Sequence, residues 1–196
     1  MARPREFDLN STLEQAMGVF WEKGFEGASL SDLLEAMQIA RGSLYKAFGD
    51  KRGLFLATLR HYDDTCITAA VELLCDKNIP DGSTRIVRLM ESIALAVEVH
   101  GDRRGCFLCN SVVDQAPHDK EIEAECKRMM GRMERGFVVA LRSSDNFKHL
   151  NSNKLSENAR NLNVTYNGLR VMAKAGYLAS EIRKAIHTAL LEAKVV

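Results

Sequence analysis

Arg41, Ser43, Tyr45 and Lys46 place four hydrogen-bonding side chains between positions 41 and 46, a grouping suited to nucleic acid. Arginine contacts guanine in a bidentate way, and serine and lysine serve a base edge or a phosphate. A tyrosine hydroxyl suits a phosphate. Gly42 allows close backbone approach, and Lys51 stands at a helix start, where charge and backbone amides favour phosphate. A second grouping is Arg103-Arg104-Gly105-Cys106-Phe107-Leu108-Cys109. A thiol at a helix amino terminus with cations upstream favours thiolate and nucleophilic attack. Cys109 falls one turn on, on the same face, where it can resolve an oxidised Cys106 as a disulfide. Inert packing, the ordinary role of a cysteine, remains open for both.

The elements that carry these residues follow from periodicity. Residues 8–23 repeat Leu9, Leu13, Met17, Phe20 and Trp21 at helical spacing until Gly24. Ser29 and Asp32 form a near capping box for a helix to about Met37. Gln38, Ile39 and Ala40 make a turn, and Arg41 to Phe48 is a second short helix closed by Gly49. Two short helices on a tight turn are the pattern of a helix-turn-helix DNA reader. Ser29 is counted with its DNA-facing residues, and Leu33, Leu44 and Phe48 with its small core.

Asp50 caps a long amphipathic helix from about Lys51 to Cys75, which connects the reader to the rest. Further helices are expected at Ser83–His100, Cys106–Gln115, from Pro117 to about Arg142, Leu155–Ala175 and Ala179–Ala193. Ser143 to Asn153 reads as an exposed loop. The expected class is all-α, about nine helices, with a three-helix unit at 1–52 and a larger helical regulatory and dimerisation unit at 53–196.

Composition sets the outer bounds. Hydrophobic residues make up 46% of the 196 and only three prolines occur, which excludes disordered and fibrous classes. Net charge is +1, so bulk charge gives no sign of a nucleic-acid partner. The basic character is local: Arg41, Lys46, Lys51 and Arg52 face one acid, Asp50, between 41 and 52. Five cysteines without a small-domain spacing, no apolar leader and no membrane-length run indicate a soluble cytoplasmic protein with free thiols. One C-x-x-C is half a zinc site, so no metal and no cofactor is expected.

Ser29-x-x-Asp32-Leu33-x-x-x-Met37 followed by Ala40-Arg41-Gly42-Ser43-Leu44-Tyr45-x-x-Phe48-x-x-Lys51-x-x-Leu54 resembles the amino-terminal domain of TetR-family transcriptional regulators, over about Phe7 to Leu54. Two departures stand out: Gln38 where the turn usually has glycine, and Ala40 where a Ser or Thr cap is usual. The missing cap weakens the start of the second helix by about 1 kcal/mol.

The resemblance implies a homodimer through the last two helices, about 155–193, on a pseudo-palindromic double-stranded operator. It also implies a small-molecule inducer held in the larger unit. The apolar stripes Ala159, Leu162, Tyr166, Leu169, Ala173 and Ile182, Ile186, Ala189, Leu190, Ala193 fit such an interface, and fit burial within the monomer as well. Met90, Phe107, Met129, Met130, Met133 and Phe137 offer flexible and aromatic lining for a hydrophobic ligand, or plain core.

The function so read is a DNA-binding regulator, a repressor released by a ligand or by thiol modification, and not an enzyme. A C-x-x-C thiol oxidoreductase is disfavoured because no βαβ pattern surrounds the motif. A helical interaction module without a DNA role is the third reading.

Overall fold

The computed structural model describes residues 8–195, and every regular element among them is helical. Phe7, where the resembling stretch begins, lies outside them, as do the rest of residues 1–7 and Val196. The order is α1 (Leu9–Gly27), α2 (Leu30–Met37), α3 (Arg41–Phe48), α4 (Lys51–Tyr62), a π segment (Asp63–Ile67), α5 (Thr68–Cys75), α6 (Gly82–His100), α7 (Phe107–Asp114), α8 (Lys120–Arg142), α9 (Ser152–Lys174) and α10 (Ala179–Glu192). Helix α4, the π segment and α5 run on without a break, so the described chain forms nine rods.

Short polar side chains set most of the helix starts. Asp8, Asp50, Asp81 and Asp119 accept from backbone N–H groups of the turns they open. Ser29 and Asp32 close the capping box in both directions, each at 3.0 Å. Pro117 therefore does not sit in the first turn of α8: Asp119 takes the N-cap and bonds the amides of Glu121 at 2.9 Å and Ile122 at 3.2 Å. Residues 143–151 are a largely exposed connection from α8 to α9, in which Ser144 and Phe147 are buried and hold the turn to the core.

The two departures in the reader have visible consequences. Gln38 ends α2 in the left-handed region (φ 54°, ψ 36°), a conformation that costs a side-chain-bearing residue about 1–2 kcal/mol. Its amide nitrogen donates to the Glu35 carbonyl at 2.6 Å, which offsets part of that. Ala40 offers no side-chain cap to α3.

Helix α8 packs against α5, α6, α7 and α9, and α6 against α10. The stripes of α9 and α10 that fitted a dimer interface are mostly used up inside the monomer: Ala159, Leu162, Tyr166, Leu169, Ala173, Ile182, Ile186 and Leu190 are buried. Each stripe meets α6 or α8 before any partner. Aromatic rings join α1, α4 and α7. Phe20 and Trp21 of α1, Phe55 and Tyr62 of α4 and Phe107 of α7 pack with centroids 5.0 to 5.9 Å apart.

Candidate nucleic-acid interface and thiol cavity

Helix α3 divides into two faces. Leu44 is wholly buried in the core with Leu33, Met17 and Phe20, while Arg41, Gly42, Tyr45 and Lys46 are exposed and Ser43 is half-buried. Burial of Leu44 fixes the rotation of the helix, so the opposite side must carry Arg41, Tyr45 and Lys46 outward. Ser29 is exposed, but its hydroxyl oxygen accepts the Asp32 amide, which makes it a cap first. Lys51 sits at the start of α4 with its ammonium 4.6 Å from the centre of the Phe25 ring.

Arg52 leaves the basic group. Its guanidinium meets Asp119 at 2.5 Å and Glu121 at 3.0 Å, and Arg60 meets Glu121 and Glu125 at 3.1 and 3.2 Å. Asp119 is held well down, to about 2, by its bond to Arg52. These exposed pairs tie α4 to the start of α8 and, among the described residues, leave Arg41, Lys46 and Lys51 as the reader's cations without a carboxylate partner.

Cys106 and Cys109 do come together, on α7. Cys106 is the N-cap residue of the helix and is buried; Cys109 is half-buried, and all five cysteines are free thiols. A hydrogen bond from Cys109, the Arg170 charge and the Tyr62 hydroxyl at 3.4 Å hold the Cys106 thiol below the ordinary range, against desolvation. Cys109 has one proton to give and also lies 3.1 Å from the Asn167 Oδ1 acceptor. The downward direction therefore stands on Arg170 and Tyr62 as well. The hydrogen bond to Cys106 and burial push Cys109 up, and burial raises Cys66 and takes Cys126 up to about 11.

The acting cation is not one of the two arginines just upstream. Arg104 pairs with Asp102 at 3.0 Å and stacks over Trp21 at 4.4 Å. Arg170 comes from α9 and donates to the Gly105 carbonyl at 2.8 Å. That approach needs Gly105: its φ is +75°, and a Cβ there would stand 3.0 Å from the Lys174 Cβ.

Cys106 borders a cavity of about 300 Å³, at the lower end of the range for small-molecule sites. Of the six residues expected to line a pocket, Met133 does so; Met90, Phe107, Met129 and Phe137 are sealed in the core and Met130 is half-buried outside this cavity. The wall comes instead from Trp21, Tyr62, Asn163, Tyr166, Asn167 and Arg170, among others. The sequence carried a sign of this: Asn163, Asn167 and Arg170 recur at i, i+4 and i+7 along the flank of the apolar stripe of α9. Among the described residues no cluster of three or more metal-ligating side chains occurs, and no helix is long and apolar enough to cross a membrane.

Residues 13–58 match the bacterial regulatory proteins of the tetR family. The chain is 33% identical over 177 residues to the uncharacterized HTH-type transcriptional regulator YezE of Bacillus subtilis (strain 168), covering 89% of this chain and 90% of YezE. It is 31% identical over 134 residues to the HTH-type transcriptional repressor ComR of Escherichia coli (strain K12), covering 68% of this chain and 63% of ComR. In structure it is similar to a cysteine mutant of the TetR family transcriptional regulator CifR complexed with 26 bp double-strand operator DNA. That likeness has a TM-score of 0.82 at 29% identity and covers 96% of this chain and 98% of the other.

Proposed function

The chain belongs to the TetR family of bacterial regulatory proteins, and from that membership we propose a homodimeric repressor that reads a pseudo-palindromic operator through α3. The observation that carries the reading is the division of α3, with Leu44 locked in the core and Arg41, Tyr45 and Lys46 turned out. The likeness to CifR, whose complex contains operator DNA, and to ComR, named a repressor, supports both the partner and the sign of regulation.

Arg41 and Ser43 read bases from the first turn of α3, and Lys46, Tyr45 and Lys51 hold phosphates. Ser29 orders α2 and reaches the backbone from its cap. Reading belongs to residues 1–52 and regulation to 53–196. Arg41→Ala is expected to cost about 1–3 kcal/mol at one base position in anisotropy titrations against single-base operator variants. Equal weakening on every variant would make Arg41 a phosphate contact instead.

The dimer is assigned to α9 and α10, on residues the monomer leaves out. Val164 and Val171 lie two turns apart on one face of α9 and are exposed, with open space at Gly168 between them. Tyr177, Leu178 and Leu191 add exposed apolar surface nearby in sequence. A monomer by light scattering at micromolar concentration would remove the dimer and the palindrome with it.

Control is assigned to the cavity at Cys106, by an inducer or by thiol modification. A thiol held down beside Arg170 and the Tyr62 hydroxyl ionises more readily than an ordinary buried thiol. Its alkylation rate is expected to level off at a pH below that of an ordinary thiol, because the thiolate is already formed there. Mild peroxide or a quinone is expected to release operator from the wild type and not from Cys106→Ser. Equal release of both proteins would take thiol control away and leave the inducer.

A further inference from the structure

Trp21 and Arg170 carry the buried side-chain nitrogens that meet no hydrogen-bond acceptor among the described residues, at Nε1 and Nε. Both residues stand in the wall of the cavity of about 300 Å³ beside Cys106. An unmet buried donor is a standing cost, and two on one wall define what would relieve it: a ligand that accepts hydrogen bonds.

Charge narrows the acceptor. Four charged side chains border the cavity: Glu14, Asp102, Arg104 and Arg170. Asp102 is matched by Arg104, and Glu14, 59% exposed at the rim, reaches the His61 ring nitrogen at 3.0 Å. Arg170 donates to the Gly105 carbonyl, lies over the Tyr166 ring at 5.9 Å and faces the Cys106 thiol, but no carboxylate lies within salt-bridge distance of it among the described residues. A guanidinium in this position receives a carboxylate through two N–H groups better than any neutral acceptor. The remaining wall sets the body of the ligand, since Trp21, Tyr62 and Tyr166 present aromatic surface and Met17, Leu108 and Met133 present aliphatic surface.

We propose that this cavity is a receptor site for a small organic monocarboxylate with a flat apolar body, its carboxylate held by Arg170 and the Trp21 indole N–H. The site joins α1 to α9, because Met17 and Trp21 belong to α1, the helix whose Phe20 is part of the reader's core. Filling it acts on α1 directly, and on the end of α4 through Tyr62. The proposal deepens the regulatory reading and rests on it only for the consequence at the operator.

Trp21 is the one tryptophan of the chain, so its emission reports occupancy. The full chain, without DNA, is titrated with benzoate, and with benzamide and benzylamine as neutral and cationic forms of the same ring. Benzoate is expected to change the emission saturably, with benzamide about tenfold or more weaker and benzylamine without effect. Arg170→Met is expected to weaken benzoate by about tenfold or more while leaving benzamide unchanged, with Arg170→Lys recovering part. Calorimetry on Trp21→Phe gives a second reading of the same contact, with benzoate again weaker. The acid-against-amide comparison needs no variant, so a poorly folding substitution does not spare the proposal. Equal affinity for acid and amide overturns it, as does the lack of any saturable response to benzoate, phenylacetate and cinnamate. Saturable benzoate binding with an unmoved operator complex supports the site and counts against effector control.

Discussion

Asp63→Ala is expected to lower unfolding stability by about 2–3 kcal/mol, measured by urea denaturation. Asp63 opens the π segment, and its carboxylate is almost wholly buried. Arg128 reaches it at 2.6 Å and Arg132 pairs with its other oxygen, both from α8. Arg132 also donates to the Thr68 hydroxyl at 2.9 Å, and that hydroxyl donates to the Asp63 carbonyl at 2.9 Å. Breaking a fully buried ion pair costs about 3–5 kcal/mol. The figure is lower here because the Arg128 and Arg132 side chains are 47% and 26% exposed and recover water when released. The bonds to the charged groups still set a floor near 1.5 kcal/mol. A loss under about 0.5 kcal/mol, the range of an ordinary surface substitution, would mean the π segment is held by packing alone.

Gly53→Ala is the second large effect, and it strikes the reader directly. A Cβ at position 53 would stand 1.9 Å from the Phe48 carbonyl oxygen and 3.1 Å from its carbon. Backbone cannot swing aside as a side chain can, so α3 and α4 must move apart. The expected cost is about 1–3 kcal/mol in stability. Operator affinity falls further than stability explains, because Phe48 ends α3 and its shift tilts the helix that carries Arg41. Gly42→Ala is the control. A Cβ there meets nothing within 4 Å, so stability should hold or rise by up to about 1 kcal/mol on helix propensity alone. Lost operator binding by a fully stable Gly42→Ala protein would place the DNA backbone close against α3. A Gly53→Ala protein with wild-type stability and affinity would contradict the packing described for α3 and α4.

The reader was legible because its determinants are local. Ser29 with Asp32 and Asp50 with the amide of Gly53 are caps that close within one turn, and they place α2 and α4 without tertiary information. The π segment left no mark, since the apolar period of residues 51–75 runs straight through it and its anchors come from α8. The cavity was half legible. Cys106 and Cys109 were singled out by local spacing, and α7 does bring them together. Arg170, the charge that acts on Cys106, lies on a helix far along the chain, and only the fold brings it to Gly105. Arg52 shows the converse: its local setting is basic, and two carboxylates at the start of α8, Asp119 and Glu121, remove it from that basic group. The α9 and α10 stripes were read correctly as apolar, but periodicity cannot say which neighbour covers them.

Selection of bound sequences from random double-stranded DNA by the full chain shows whether α3 reads an operator. One motif made of two inverted half-sites is expected to be enriched, with Arg41→Ala relaxing the same position in each half. Retention of DNA that falls steeply with salt and enriches no sequence would contradict it.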